Sequence, residues 1–249
     1  MTVGRPHRHF RRIDSTNEVA RAMAASGAAD GTVVTAEEQT AGRGRQGRPW
    51  STPADGSLAW SVLLRRKVEV PGTLPLQIGV AVCEAVESLG VTRADVKWPN
   101  DVWIEGRKCA GILVEARPQD GWAVVGIGLN LTISEADFPE ELRSRATSVG
   151  HGADIASAAA ALNRFVEARL AADIEQTLAE LASRDALRGR PVSWGTSESV
   201  AQPLAAGRQS GPRSGIAAGI DAAGNLLVET ADGVEVLSAG EVHLDADTD

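Results

Sequence analysis

Apolar and polar residues alternate over residues 57–64, and this two-residue period predicts a strand. Over residues 76–89 apolar residues recur every three or four positions, which predicts a helix. An earlier helix is predicted to begin at Ser15, because Ser15 and Glu18 have the spacing of a capping box ahead of an apolar stretch. The β-branched residues within 31–36 predict a strand after it. The first third of the chain therefore mixes helices with strands.

The middle of the chain predicts a series of short strands followed by helices. The strands are separated by turns at Gly106 and Gly121 and cover residues 96–98, 101–105, 108–115 and 122–131. The alanine-rich residues 155–187 predict two helices that are interrupted near Asp173. This order of elements predicts an α+β fold, with a mixed or antiparallel sheet flanked by helices.

A second domain is predicted to begin near residue 188, where short β-rich runs separated by glycine turns replace the helical pattern. The runs are residues 192–194, 215–220, 226–229 and 234–237. Residues 195–214 are rich in Ser, Gly, Ala and Pro and predict a mobile loop. We therefore expect a large domain over residues 1–187 and a small β domain over residues 188–249.

Composition and charge exclude several classes of protein. The chain has 249 residues, of which 43% are hydrophobic, and no apolar run approaches the roughly 20 residues of a membrane helix. Its start lacks the apolar stretch of an export signal, and its two cysteines cannot form a disulfide framework. We therefore expect a cytoplasmic protein that does not bind membranes. The formal net charge of −8 argues against general nucleic-acid binding.

Residues 37–53 form a polar segment whose glycines and prolines predict a long loop, and loops of this length are usually functional. The segment contains the G-x-G-x-x-G pattern of dinucleotide-binding folds, which requires a helix to follow. Pro49 and Pro53 exclude that helix, and no Lys-Ser or Lys-Thr follows as in a P-loop. The cations that remain among the glycines are Arg43, Arg45 and Arg48.

This arginine loop is suited to a polyanion, because glycine lets backbone approach a ligand and guanidinium binds phosphate or carboxylate through two parallel bonds. Trp50, just beyond it, offers a ring on which a base could stack. Two alternatives stay open from composition alone. One is a solvated arginine loop without a ligand, and the other is an RGG-like nucleic-acid segment, against which the acidic remainder of the chain argues.

A second group of candidate residues includes two of the three lysines in a chain whose 25 basic residues are mostly arginine. Lys97 and Lys108 offer compact charges suited to an oxygen that gains negative charge, which guanidinium does not replace. Pro99 predicts a bend that turns Asn100 and Asp101 toward one edge, and a carboxylate suits Mg²⁺ shared with ATP phosphates. The alternatives are an ordinary turn after proline and, for the Gly-x-Gly at 126–128, simple packing.

Together these segments resemble the biotin protein ligase family. The matching segments occur in the family's order and are residues 14–17, 39–45, 97–102, 107–113 and 126–130. The resemblance implies a class II synthetase-like catalytic domain followed by a small SH3-like β-barrel. It also implies an enzyme that uses ATP, Mg²⁺ and biotin to form biotinyl-5′-AMP. The enzyme would then transfer biotin to a lysine of the biotin carboxyl carrier protein or domain of a carboxylase.

The same resemblance assigns roles to individual residues. The biotin-binding residues would be Ser15, Thr16, Asn17, Gln39, Arg43, Gly44, Arg45, Lys108, Gly111, Gly126 and Gly128. The ATP-binding residues would be Arg43, Arg45, Arg48, Trp50, Asn100 and Asn130. The catalytic residues would be Lys108, Arg45, Asp101 and Lys97, and Asp101 would also help to position Mg²⁺.

The chain departs from the bifunctional members of the family, because only about a dozen residues precede the first matching segment and no helix-turn-helix region is present there. We therefore expect no DNA binding, and the sequence is compatible with a monomer or a homodimer. Two other functions stay open. One is a lipoate ligase or octanoyltransferase, which would share the fold class, and the other is a non-catalytic adenylate-binding regulator.

Overall fold

The computed structural model describes residues 1–50, 56–65, 72–150, 152–195 and 213–245. The helices are α1 (Thr16–Ala25), α2 (Leu74–Ser88), α3 (Ile155–Ala171) and α4 (Ile174–Ser183). The strands of the first sheet are β1 (His7–Ile13), β2 (Val33–Gln39), β3 (Ser57–Leu64), β4 (Asp95–Lys97), β5 (Asp101–Ile104), β6 (Arg107–Arg117) and β7 (Trp122–Asn130). The strands of the second sheet are β8 (Pro191–Trp194), β9 (Arg213–Ile220), β10 (Leu226–Thr230), β11 (Gly233–Leu237) and β12 (Val242–Leu244).

The first sheet has seven strands in the order β1-β2-β3-β7-β6-β5-β4. Strands β1 and β2 are parallel, and the other neighbours are antiparallel, so the sheet is mixed. Helices α2 and α3 belong to the main hydrophobic core, whereas α1 packs with Val34, Leu63 and Trp122 in a smaller cluster. The predicted α+β class is therefore confirmed.

Strand β1 was not predicted from the sequence. Its residues, HRHFRRI, are exposed or half-buried and show no alternation between apolar and polar residues. The strand forms because its backbone pairs with β2 in parallel register, from His7 opposite Val33 to Ile13 opposite Gln39. At the edge of a sheet the backbone pairing can define a strand without an apolar face.

The predicted capping box at the start of α1 is wrong in its details. Ser15 does occupy the N-cap position, but its side chain makes no capping hydrogen bond. The Thr16 N–H donates instead to Oε1 of Gln39, at 2.8 Å. A residue from β2 thus caps this helix in place of the serine.

The second sheet is antiparallel, in the order β11-β10-β9-β8-β12, and confirms the predicted β-rich C-terminal unit. Its closure into an SH3-like barrel and the boundary at residue 188 stay predictions. Leu187, Val192 and Val242 belong to the same hydrophobic core as α2 and α3, so the two sheets share buried residues. Most of the predicted loop 195–214, and residues 51–53 of the predicted loop 37–53, lie outside the described residues.

Within the described ranges, none of the helices combines the length and hydropathy needed to cross a bilayer.

Candidate active site

One cavity of about 340 Å³ contains every residue that the sequence assigned to a site. The cavity lies where the start of α1, the arginine loop after β2, the turn between β4 and β5, and the strands β6 and β7 meet. The predicted residues in its lining are Ser15, Thr16, Asn17, Gln39, Arg43, Gly44, Arg45, Arg48, Trp50, Lys97, Asn100, Asp101, Lys108, Gly111, Gly126, Gly128 and Asn130. The two groups of candidate residues, which are far apart in sequence, therefore belong to one site.

The arginine loop folds back on itself. The Trp50 N–H donates to the Gly42 carbonyl at 2.9 Å, and the Gly44 N–H donates to the Arg48 carbonyl at 2.7 Å. Gln46 adopts a left-handed φ of 56° at the tip, where the chain reverses. These bonds turn the loop into a tight hairpin over the cavity.

Trp50 packs against the glycines of the central strands. A Cβ atom added to Gly128 would lie 2.2 Å from the indole ring, and one added to Gly111 would lie 3.2 Å from it. The Lys108 ammonium lies 5.4 Å from the centre of the same ring. Glycine at these two positions therefore gives Trp50 a flat backbone surface inside the cavity, and the indole Nε1 is buried there without a hydrogen-bond partner among the described residues.

Gly126, the third predicted glycine, faces a different neighbour. A Cβ atom at this position would lie 2.2 Å from the Asn17 side-chain oxygen. The Gly-x-Gly pattern of β7 thus leaves room for two separate side chains, Asn17 and Trp50.

The cations on the cavity floor are held by polar partners. Lys108 Nζ lies 2.6 Å from Oδ1 of Asp101. Arg45 donates from Nη1 to the Asn100 side-chain oxygen at 3.1 Å. Burial lowers the pKa of Lys97 below its ordinary value, although the nearby Asp101 carboxylate opposes this effect. Asp101 therefore lies close to both lysines.

Arg43 and Arg48 are paired with carboxylates at the rim. Arg43 lies 3.2 Å from Glu18 of α1. Arg48 donates from both terminal nitrogens to Glu241, which precedes β12 in the second sheet. The hydrogen bond from Arg48 lowers the pKa of Glu241, although partial burial opposes it. The arginine loop is thus linked to the C-terminal unit.

The lining carries five cations, three from the arginine loop and two lysines, but only three carboxylates, Asp101, Asp137 and Glu241. The cavity is therefore locally cationic in a chain whose net charge is −8. An excess of one sign of charge in a cleft attracts ligands of the opposite sign. This distribution fits an anionic ligand and separates the cavity from the acidic remainder of the surface.

Beside these cations, the cavity has a neutral polar corner at the start of α1. Thr16, Asn17 and Ser15 are all buried. The Gln39 side-chain oxygen accepts a hydrogen bond from the Thr16 N–H at 2.8 Å, and the Thr16 hydroxyl oxygen lies 3.1 Å from the same atom. A neutral polar ligand group would find hydrogen-bonding side chains here without a competing charge.

One wall of the cavity is apolar and was not predicted from the sequence. Its residues follow β7 and are Ile133, Phe138, Pro139, Leu142 and Ala146. The Asn130 side chain donates to the Thr147 carbonyl at 3.0 Å, and the Lys108 N–H donates to the Arg145 carbonyl at 2.8 Å, so β6 and β7 hold this segment in place. The apolar residues of this wall are scattered among acidic and other polar residues, so the sequence carried no clear signal for it.

The predicted Mg²⁺ site stays a prediction. Among the described residues no group of three or more His, Cys, Asp or Glu side chains is arranged to hold a metal ion. Asp101 is a carboxylate in the cavity, and Mg²⁺ that arrives with ATP needs only one or two protein carboxylates. The residues present therefore fit a nucleotide-bound Mg²⁺ ion rather than a metal held by protein alone.

Residues 9–131 match the Biotin/lipoate A/B protein ligase family, and residues 207–245 match the Biotin protein ligase C terminal domain. The chain also resembles the solved structure of biotin protein ligase from Aquifex aeolicus in complex with biotin and ATP. The TM-score is 0.81 at 26% identity, covering 96% of this chain and 99% of that one. The first match includes every predicted site residue.

Two sequence relatives extend the similarity over nearly the whole chain. The biotin--[acetyl-CoA-carboxylase] ligase of Mycobacterium tuberculosis is 40% identical over 92% of this chain and 86% of its own length. The enzyme of the same name from Paracoccus denitrificans is 34% identical over 93% of this chain and 97% of its own length. By these similarities, this chain belongs to the biotin protein ligase family.

Proposed function

We propose that the chain is an ATP-dependent biotin–protein ligase that forms biotinyl-5′-AMP and transfers biotin to a lysine of a carboxylase carrier domain. The observation that carries this proposal is one cavity that joins a neutral polar corner to a cationic floor. Biotin has the matching chemistry, with a neutral ureido ring at one end and a carboxylate at the other. The ligases with which the chain shares its family support the same activity.

The neutral corner is where we place the ureido ring. Ser15, Thr16, Asn17 and Gln39 offer hydroxyl and amide groups, which are the partners that a neutral polar ring requires. A site built to hydrogen-bond such a ring rejects ligands that lack it, because the buried groups of the protein would stay unpaired. This argument favours biotin over lipoate, whose dithiolane ring has no N–H or C=O group.

The cationic floor is where we place the reaction. One oxygen of the biotin carboxylate attacks the α-phosphorus of ATP, the bond to the β-phosphate oxygen breaks, and pyrophosphate leaves. Two anions must first approach each other, and two unit charges 4 Å apart repel by about 4 kcal/mol at an effective dielectric constant of about 20. Lys108, Lys97 and the arginine loop carry the charge that offsets this repulsion, and Mg²⁺ bound to ATP would neutralise its outer phosphates.

Three of the cations would share the reacting groups, a fourth would bind the outer phosphates, and Lys97 would lie nearby in support. Lys108, aligned by Asp101, would lie where the carboxylate meets the α-phosphate. Arg45, held by Asn100, and Arg43 would bind the same two groups, and Arg48 would bind the outer phosphates. Asn130 commits its amide nitrogen to the segment after β7, so it would contribute mainly by holding the apolar wall.

We place the adenine between Trp50 and the apolar wall, which together offer an aromatic ring and aliphatic side chains in one cavity. The tight hairpin of the arginine loop would cover the acyl-adenylate and exclude the water that would hydrolyse it. In the second step the lysine amine attacks the activated carbonyl, the bond to AMP breaks, and the amine loses a proton as the amide forms.

We further propose that the reaction takes place in the cytoplasm, where ATP is available, and that the chain acts as a monomer or a homodimer without binding DNA. The net charge of −8 supports the last point. The partner is then a carrier domain with an exposed lysine, as the names of the related acetyl-CoA-carboxylase ligases suggest.

The test is transfer of labelled biotin to an apo carrier domain by the purified full chain with ATP and MgCl₂. We expect pyrophosphate release on mixing biotin with ATP, followed by an amide-linked label on the carrier. Lipoate in place of biotin is the control and should give neither product. Activity with lipoate alone would establish the lipoate ligase instead, and binding of biotin and ATP without pyrophosphate release would establish the non-catalytic regulator.

A further inference from the structure

Four polar side chains form a continuous hydrogen-bonded series behind the neutral corner of the cavity. Glu115 of β6 accepts a hydrogen bond from the Asn17 amide nitrogen, at 2.8 Å. Ser61 Oγ of β3 lies 2.6 Å from the Asn17 side-chain oxygen and 2.7 Å from Thr16 Oγ1. Ser61 is fully buried, with 0% of its surface exposed, and only Asn17 and Thr16 of the four line the cavity. We call this series the Glu115 relay.

The direction of each bond in the Glu115 relay follows from counting protons. An ionised carboxylate only accepts, so Asn17 must present its NH₂ to Glu115 and its oxygen to Ser61. An amide oxygen also only accepts, so the single proton of the Ser61 hydroxyl is donated to Asn17. The short contact between Ser61 and Thr16 then requires the proton of the Thr16 hydroxyl.

Two further contacts support this direction. Arg21 Nη1 lies 3.1 Å from the other oxygen of Glu115, so an ion pair holds in place the carboxylate that starts the relay. The alternative acceptor for the Thr16 hydroxyl is Gln39 Oε1, but that contact is longer, at 3.1 Å, and this oxygen already accepts the Thr16 N–H. The Thr16 proton is therefore directed to Ser61.

We infer that Glu115 and Ser61 are positioning residues that fix the Thr16 hydroxyl as a hydrogen-bond acceptor toward the ligand and so select a ligand that donates an N–H there. With its proton engaged by Ser61, the Thr16 oxygen offers only lone pairs to the cavity. The N–H groups of a cyclic urea match this polarity. The inference rests on the proposed function, which places the ureido ring of biotin in this corner.

The relay also explains a glycine. A side chain at Gly126 would reach within 2.2 Å of the Asn17 oxygen, the atom that accepts from Ser61. Gly126 thus protects the relay by leaving room for Asn17, without needing to contact the ligand itself.

The test concerns the hydrogen bond between Asn17 and Glu115 and exchanges the amide and the carboxylate between these two residues. Asn17→Asp places a carboxylate against Glu115, and we expect biotin affinity measured by calorimetry to fall at least about tenfold, because a buried acceptor pair has no proton to share. Adding Glu115→Gln returns an NH₂ group to that bond and leaves the acceptor toward Ser61 in place. The double variant should bind biotin at least about threefold more tightly than Asn17→Asp alone.

Measuring biotin affinity at several pH values distinguishes a wrong hydrogen-bond polarity in Asn17→Asp from general damage to the fold. Two carboxylates in contact take up a proton more readily than either alone, so the affinity of Asn17→Asp should recover as the pH falls from 8 to about 5. The double variant should show no such recovery. An equal loss of affinity in both variants, no loss in Asn17→Asp, or a pH-independent loss would each overturn the relay.

A second variant tests the ligand directly. Ser61→Ala removes the acceptor of the Thr16 proton, so the preference for biotin over an analogue with a methylated ureido nitrogen should shrink by about tenfold. An unchanged preference would overturn the inference. The two failures are distinguishable. If the unchanged protein does not bind biotin, the proposed function is wrong; if it binds biotin but the variants do not behave as expected, only the relay is wrong.

Discussion

The position of the Lys108 ammonium is closely constrained by its neighbours. Asp101 fixes its ammonium at 2.6 Å, and Gly111 leaves it room, since a Cβ there would lie 3.2 Å from the lysine nitrogen. Lys108→Ala should lower the single-turnover rate of pyrophosphate release by roughly 10²-fold or more, the range for one preorganised electrostatic group. Arg93→Ala, which removes an exposed arginine paired with Asp95, is the matched control and should leave the rate unchanged. A near-normal rate in Lys108→Ala would remove that lysine from the reaction.

At the residue scale, the sequence predicted the members of the cavity that lie in continuous segments, such as Lys97 to Asp101. It missed Ser61, Glu115 and Glu241. These residues are joined to their partners across 44, 98 and 193 positions of sequence, respectively. Serine in a strand and glutamate on a surface have no local pattern that distinguishes them. The pairing of β3, β7 and β6 brings Ser61 and Glu115 behind the cavity, and the ion pair with Arg48 brings Glu241 to its rim.

At the element scale, β7 and the arginine loop depend on each other through Gly128 and Trp50. Gly128→Ala would place a Cβ atom 2.2 Å from the indole, so the loop must shift away from the sheet. We expect biotinyl-5′-AMP to dissociate at least several times faster, measured by the release of labelled adenylate. Adding Trp50→Leu to the Gly128→Ala variant removes the contact with the indole. The double variant should therefore retain biotinyl-5′-AMP longer than Gly128→Ala alone. Unchanged release from Gly128→Ala would show that the loop does not need this surface.

Elements with a clear period were predictable, and β1 was not. Strand β3 is buried along its whole length and α2 along most of its length, so their apolar residues determine where they lie. Strand β1 contributes Phe10 to the small cluster beneath it, and its arginines and histidines stay largely exposed. Its position is determined by backbone pairing with the edge of β2. The sequence of β1 alone carries no signal for this pairing.

At the scale of the whole molecule, Arg48 and Glu241 join the arginine loop to the C-terminal unit. Their side chains are 60% and 30% exposed, so the pair should contribute about 1 kcal/mol or less. Glu241→Gln should therefore lower Tm by only about 2–4 °C at pH 7. It should also raise the KM for ATP, because Arg48 loses the partner that holds it over the cavity, while biotin affinity stays unchanged.

The difference in Tm between the unchanged protein and Glu241→Gln should depend on pH, because the pKa of Glu241 is lowered. A carboxylate with a lowered pKa stabilises the folded protein above its unfolded pKa, near 4.5, and this contribution is lost as the pH falls through the folded value. The Tm of the unchanged protein should exceed that of Glu241→Gln at pH 7 and pH 5, and the two should converge below about pH 4.5. A constant difference down to pH 3 would mean that the glutamate acts by packing alone.

The contacts between the two sheets limit which chimeric proteins can be made from this chain and its relatives. The Trp98 indole N–H is bound to the Gly224 carbonyl at 3.0 Å, and the hydrophobic core runs from α2 to β12 without a break. A chimera that transplants the C-terminal sheet of another ligase must carry the matching contacts of Trp98 and Leu187, or it will leave apolar surface uncovered beside the cavity. Exchange of this unit between relatives is therefore constrained by the hydrophobic core that the two sheets share.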